Sequence, residues 1–341
     1  MSPIRPLIAA TAVLTATVCA AGCGRSATTG HPRTAAPTQT TVAHVVTVPD
    51  HAQRTTSLRA VQQAAIPAAY ASWLTYYDGS IWVKRDDGRV IRIDPHTNKQ
   101  TGQVGFYTNG QHYCQGIAAG GGAVWSCQQG FITRIDPKTV KIIARIPIAK
   151  AFDEGRYVFA DGRIWVITGT KGNQLVGIDP ATNQPGPPIT LPYSCTDLAP
   201  GGDAVWVLCP NASHVVKVDI TRRRVAGTVA IDSAYNGYAT RSDLWVGSNS
   251  DLVRINATTF RPEAIFHNAG PGQGGDVTVD GNHVWVSTNN GPLYLIDATS
   301  NTITKHITAP AGLGGGALIA TTDSIWVTAE SIGTLLRLRS T

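Results

Sequence analysis

A tryptophan that recurs seven times at near-constant spacing, four short alternating segments in each interval, and one turn chemistry repeated along the chain predict an all-β fold: a seven-bladed β-propeller with four-stranded blades. The tryptophans are Trp82, Trp125, Trp165, Trp206, Trp245, Trp285 and Trp326, separated by 43, 40, 41, 39, 40 and 41 residues. Each follows a β-branched or leucine residue and is usually followed by valine, the mark of a strand buried on both faces. Wedged between neighbouring blades, these indoles are candidates for the core.

The second interval shows the blade strand by strand. QGIAAGG reads as the inner strand, GGG as a tight turn, AVWSC as the second strand, GFITRID as the third and KIIARI as the outer fourth. Alternation has period 2, and the segments are too short for helices. After the third strand the chain turns on Asp94-Pro95-His96-Thr97, Asp136-Pro137-Lys138-Thr139 and Asp179-Pro180-Ala181-Thr182, with relaxed versions at Asp219, Asn256 and Asp297. An Asp that accepts a backbone N–H, followed by a Pro that presets φ, is type I turn chemistry. The Asp/Thr clusters are therefore turns and not a catalytic set.

The last repeat is incomplete, since 15 residues follow Trp326, too few for an outer strand. Thr41 to Pro49 has the alternation and terminal proline of Lys141 to Ile148, and is expected to pair onto the last blade and close the ring. Upstream, residues 1–22 read as an export signal: Arg5 is the first charge, and Leu7 to Gly22 is an uncharged run too short to span a bilayer comfortably. The run ends in Ala20-Ala21-Gly22-Cys23, which resembles the cleavage box of bacterial lipoproteins. That resemblance implies lipidation at Cys23 and a chain anchored on the outer face of the cell membrane, or secreted if Cys23 is not acylated. Residues 23–40, rich in Gly, Ala, Ser, Thr and Pro, read as a flexible tether, and 41–341 as the propeller.

The net charge of +6 shrinks once the chain is divided this way. Five arginines and one aspartate lie in residues 1–66, so the propeller carries little excess charge. With no basic stripe interleaved with aromatics, a nucleic-acid partner is excluded. Of the 6 cysteines, Cys19 leaves with the signal and Cys23 takes the lipid. A symmetric hairpin in the second blade sets Ile117 opposite Val124 and Cys114 opposite Cys127, the spacing a disulfide requires. Cys195 and Cys209 stand at the same hairpin mouth of the fourth blade, one residue out of register, so a Cys195–Cys209 bridge needs a bulge.

The segments LWVGSNSDLVRINATTF and VWVSTNNGPLYLIDATSNTITKHI resemble the repeats of YVTN-type β-propeller proteins and of the virginiamycin B lyase-like family, over about residues 67 to 341. The resemblance implies a seven-bladed fold. In the lyases it further implies a metal and active-site histidine and glutamate residues on the inner and second strands. Eleven residues before each tryptophan this chain has Ala71, Cys114, Glu154, Cys195, Ala234, Gly274 and Gly315, none of them histidine. Three residues after each it has Arg85, Gln128, Thr168, Cys209, Ser248, Thr288 and Ala329, none of them glutamate. Lyase chemistry is therefore not carried over, and no catalytic residue, metal ligand or cofactor is assigned.

No nucleophile elbow, phosphate loop or zinc-spaced cysteine pair is present, and Asp86-Asp87-Gly88 reads as a hairpin turn. The candidate site is the channel mouth. Nine residues before each tryptophan stand Trp73, Gly116, Arg156, Asp197, Asn236, Asp276 and Ala317, on inner strands that are otherwise small and apolar. Trp73, Arg156, Asp197, Asn236 and Asp276 are expected at an exposed rim, flanked by Tyr113, Tyr157, Tyr193, Tyr235 and Tyr238. There they either solvate the channel, pair with one another, or bind a ligand. The function that follows is a monomeric, tethered, non-catalytic scaffold that binds a protein, a cell-wall glycan or a small ligand at the mouth. The alternative is an enzyme with Asp197 and Asp276 as an acidic pair or metal ligands.

Overall fold

The structure is a computed structural model that describes residues 45–48, 54–105, 115–128, 130–148, 155–202, 204–289, 291, 293–309 and 316–340. Signal, tether, Cys23, Tyr113 and Cys114 lie outside the described residues. Seven sheets follow one another, each of four antiparallel strands in the order inner, second, third, outer. In the second blade these are Ile117–Gly120, Ala123–Gln128, Phe131–Asp136 and Lys141–Pro147. The third blade splits its outer strand into Gln184–Pro185 and Ile189–Thr190. Gly186-Pro187-Pro188 lies between the two pieces, where prolines have no N–H to give the ladder.

Each tryptophan is at most 1% exposed, and each occupies a different apolar cluster formed with the blade that follows it. Period-2 alternation explains this: Trp82 packs toward Val124 of the second blade, while its neighbours Ile81 and Val83 pack toward Trp326 of the last. The buried indole N–H groups are satisfied locally, Trp125 Nε1 donating to the Gly120 carbonyl at 3.0 Å and Trp165 Nε1 to that of Ala160 at 3.0 Å.

A cation sits directly across the sheet from five of these tryptophans. Arg92, Arg134, Lys217, Arg254 and Arg337 pair in register with Trp82, Trp125, Trp206, Trp245 and Trp326. Each lies over the ring at 5.1 to 5.9 Å from its centroid. Each also donates to a carbonyl in the turn of the next blade: Arg92 to Pro137, Arg134 to Pro180, Lys217 to Ala257, Arg254 to Ala298 and Arg337 to Pro95. The receiving turns are the Asp-Pro-x-Thr turns read from the sequence and their relaxed versions at Asn256 and Asp297. In them Asp94 Oδ1 accepts from His96 N at 2.7 Å and Asp136 Oδ1 from Lys138 N at 2.8 Å. The turns end in left-handed residues such as Asn98 (φ 57) and Val140 (φ 55), with a register shift in the ladder beyond.

Ring closure differs from the sequence expectation. Val46–Val48 (β1) adds in parallel to the outer strand of the fifth blade, and Thr55–Ser57 (β2) does the same on the sixth. The strand that completes the last blade is Gln62–Pro67 (β3), antiparallel to Thr334–Arg339. The reason is connectivity. The closing strand must feed the first inner strand, Ala71–Tyr77, through a tight reversal, here made by Ala71 N donating to Ala68 O at 3.1 Å with Tyr70 at φ 62. QQAAIP buries little besides Ile66, so its weak alternation hid it.

The apex of the second-blade hairpin also lies one residue later than expected. Ile117 pairs with Ser126 rather than Val124, because Gly121 and Gly122 form a two-residue turn with φ 59 and 79. Gly116, not Cys114, receives the Cys127 amide. Cys127 is disulfide-bonded, while its expected partner Cys114 lies outside the described residues. Cys195–Cys209 is a disulfide. The Asp197–Ala199 ladder pairs Asp197 with Leu208, so Cys195 sits beyond its end and the offset is absorbed in irregular backbone rather than in a bulge.

Candidate functional site: a plugged channel

The inner strands bring Arg156, Asp197 and Asp276 together, although they belong to the third, fourth and sixth blades. Arg156 Nε and Nη2 donate to Asp197 Oδ2 at 3.1 and 2.9 Å, and Nη1 donates to Asp276 Oδ1 at 2.6 Å. Nη2 also reaches the Gly237 carbonyl of the fifth blade at 3.2 Å. The Arg156 amide donates to Asp197 Oδ1 at 2.6 Å. Asp276 accepts from the Val277 amide at 2.8 Å and, through Oδ2, from the Leu318 amide of the seventh blade at 2.9 Å.

Trp73 of the first blade lies over the guanidinium at 4.7 Å, and its Nε1 donates to Gln115 Oε1 of the second blade at 3.2 Å. One connected cluster thus takes a member from every blade and blocks the axis. The expectation of an exposed charged rim is corrected: Arg156, Asp197 and Asp276 are 6%, 4% and 2% exposed. The physical reason is that a planar guanidinium has five donors, enough to satisfy carboxylates on both sides of a narrow channel at once. Period 2 alone places such residues on the axis but says nothing of whether they meet.

Burial works against the charge on Arg156, but Asp197 and Asp276 outweigh it and hold the guanidinium protonated above its ordinary range. Burial raises the Asp276 carboxyl to about 6, with Arg156 opposing. With Arg156 occupying both, Asp197 and Asp276 are not presented as a free acidic pair, and among the described residues no group of three potential metal ligands clusters.

Asn236 stands apart from the ion cluster. Its Nδ2 donates to the carbonyls of Gly272 at 3.0 Å and Gln273 at 3.4 Å. Gly116 has no room for a side chain, since a Cβ would approach the Tyr157 ring to 2.6 Å. Among the described residues, two cavities on the mouth side of the plug share Trp73, Gln115 and Gln273. One, of about 400 Å³, is lined also by Asp197, Tyr235 and Asn236. The other, of about 250 Å³, reaches Asn289 and Glu330. Tyr235 flanks the mouth as expected. Tyr157 and Tyr238 line a cavity on the far side of the plug instead, and Tyr193 stacks on His214 at 4.4 Å.

Sequence reasoning missed Gln115, Gln273 and the carboxyl pair Asp86/Glu330. Burial, then the charge and hydrogen bond of Asp86, push Glu330 up to about 7. All four lie on connections rather than strands, where the repeat carries no register. Asp86-Asp87-Gly88 is the turn expected, closed by Gly88 N to Arg85 O at 3.0 Å and by Asp87 ion-paired to Arg85 and Arg89.

Fold and axis together define a seven-bladed β-propeller whose channel is closed by a salt-bridged plug. No protein-family model matches the chain, and no curated protein matches it. Among solved structures it is similar to the Neurospora crassa Pan2 WD40 domain, with a TM-score of 0.67 at 9% identity, covering 82% of this chain and 95% of that one. At that identity the likeness is one of fold.

Proposed function

We propose that this chain is a non-catalytic, surface-tethered propeller that binds a protein, a cell-wall glycan or a small ligand in the mouth above the plug. The observation that carries the reading is the pair of adjoining mouth cavities around Trp73, Gln115, Asn236 and Gln273, concave and rich in side-chain amides and aromatic rings. The plug supports it by fixing the cavity floor to all seven blades, so little ordering entropy is lost when a ligand settles there. Export and acylation at Cys23 would present this mouth outside the cell.

A second reading, lyase or hydrolase chemistry of the virginiamycin B lyase type at the same mouth, draws on Glu330, whose carboxyl titrates near neutrality beside Asp86. Capture from intact cells with the full-length chain separates the two. Tyr235→Ala and Gln273→Ala should weaken capture about tenfold, while Lys141→Ala and Lys305→Ala on outer strands leave it unchanged. Equal capture by all four variants would move the binding surface elsewhere. Product formation from a captured ligand, lost in Glu330→Gln, would establish the enzymatic reading. Cys23→Ser should abolish detergent partitioning, and continued partitioning would refute the lipid anchor.

A further inference from the structure

Beyond the plug, on the side away from the mouth, the channel widens into a separate cavity of about 360 Å³. Its wall includes five aromatic rings, those of Trp73, Tyr76, Tyr157, Phe159 and Tyr238, and its floor is Arg156 and Asp276. Tyr76 and Phe159 are 47% and 38% exposed, so the box is open to solvent at its outer end.

The charge around this box is unbalanced. One guanidinium faces two buried carboxylates, so the plug as a whole carries one excess negative charge, although Asp197 lines the mouth cavity and the floor here is the Arg156–Asp276 pair. Along Asp276–Asp280, period 2 sends Asp276, Thr278 and Asp280 to the same side, and Asp276 and Thr278 line the cavity. Tyr238 registers the result: burial first, then Asp280 and Asp276, raise its hydroxyl above the usual range against Arg156. At the outer rim, the hairpin turns between inner and second strands carry, among the described residues, exposed Asp78, Asp161 and Asp323 against one exposed cation, Arg241.

An anion entering here meets excess negative charge, and a neutral guest gains nothing from it. An inorganic cation needs a shell of oxygen ligands, and among the described residues no cluster of three acidic, histidine or cysteine side chains exists. Aromatic faces around a residual negative charge suit a cation that carries its own apolar surface.

We propose that this second cavity binds a small organic cation of the alkylated ammonium class, seated among the aromatic rings and balanced by the excess negative charge of the plug together with Asp280. The site lies across the plug from the mouth and does not depend on the mouth being a binding surface. The probe is choline, set against its uncharged carbon isostere dimethylbutanol, titrated calorimetrically into the full-length chain. Choline should bind, and dimethylbutanol should bind at least about tenfold more weakly.

Asp276→Asn should weaken choline binding about tenfold or more. Tyr76→Ala, at a half-exposed position that spares the fold, should weaken it about fivefold. Asp280→Asn should weaken it in the same direction, and provides a charge test that leaves the plug intact. Gln273→Ala at the mouth should leave it unchanged. Absence of choline binding to the unmodified chain, equal binding of the isostere, or wild-type affinity in both Tyr76→Ala and Asp280→Asn would overturn the proposal. Loss of choline binding in Gln273→Ala would place the cation at the mouth and overturn it as well.

Discussion

Replacing Arg156 by Met is the sharpest test of the plug. Methionine keeps an unbranched stem of similar volume, so the change removes charge and donors while leaving little void. What it leaves behind are Asp197 and Asp276, 4% and 2% exposed, stripped of three charged hydrogen bonds between 2.6 and 3.1 Å. Breaking a buried ion pair from one side costs about 3–5 kcal/mol, because the partner's charge stays buried. Two features keep the loss near the lower end of that range. Asp197 retains the Arg156 backbone amide at 2.6 Å, and Asp276, already at about 6, takes up a proton at neutral pH once the guanidinium is gone.

The assay is equilibrium unfolding in denaturant at pH 7, followed by tryptophan fluorescence, with the slope m checked for constancy. Adding Asp197→Asn and Asp276→Asn to Arg156→Met should recover part of the loss: no charge is stranded, although at position 276 one of the two donating backbone N–H groups loses its acceptor. A loss below about 1 kcal/mol, or a triple variant no more stable than Arg156→Met alone, would refute the view that the plug is a dry, charge-balanced cluster.

Asp276 also predicts a pH dependence. Its folded value of about 6 lies above the unfolded value of about 3.9, so the folded chain binds the extra proton; its contribution is greatest in acid and declines by at most about 3 kcal/mol as pH rises from about 4 to 7. The turn aspartates Asp94, Asp136 and Asp297, lowered chiefly by backbone hydrogen bonds, act in the opposite sense, so the quantity to measure is the difference between wild type and Asp276→Asn. Parallel profiles would exclude the effect. Deleting residues 62–67 should bare the edge of Thr334–Arg339 and yield dimers or aggregates by light scattering, while deleting 45–48 leaves four strands in the fifth blade and a monomer. A monomer with unchanged melting after the first deletion would contradict the closure described here. Arg337→Leu removes the bond to Pro95 across the ring junction, the 2.8 Å bond to Ser324 Oγ and the ring contact with Trp326, and should cost about 2 kcal/mol in the same unfolding assay. No change would mean that the latch is incidental.

The parts of this molecule legible in the sequence are those that repeat. Trp82 through Trp326 fixed blade number and the second strand of each blade, because a buried indole about every 40 residues leaves few alternatives, though not the cross-strand register of the second-blade hairpin, and the Asp-Pro-x-Thr turns announced their own hydrogen bonds. The same spacing placed Arg156, Asp197 and Asp276 on the axis, but their burial depends on a reach across the ring between residues 120 positions apart, which no local pattern encodes. The closing strand was hidden for a related reason. QQAAIP is specified by its position next to the first inner strand rather than by its composition, whereas Val45-Val46-Thr47-Val48 looks more strand-like and is used on an outer edge. The cations opposite five of the tryptophans lie 9 to 11 residues beyond them in sequence, an offset that varies with turn length and so becomes plain only once the hairpin register is known.

The path of the N-terminal strands has a mechanical consequence. The chain lays β1 on the fifth blade and β2 on the sixth before β3 locks the seventh, where Gln63 meets Ser324, 261 residues away. Tension entering from upstream of residue 45 therefore reaches three attachments in series. The two outer ones are ladders of three residues on strands already complete without them, so they can yield and re-form while the ring stays shut. Only after both have let go does load fall on the six-residue strand that holds the first and last blades together. Under such a load the outer strands would act as sacrificial links, absorbing a pull before it could open the circle.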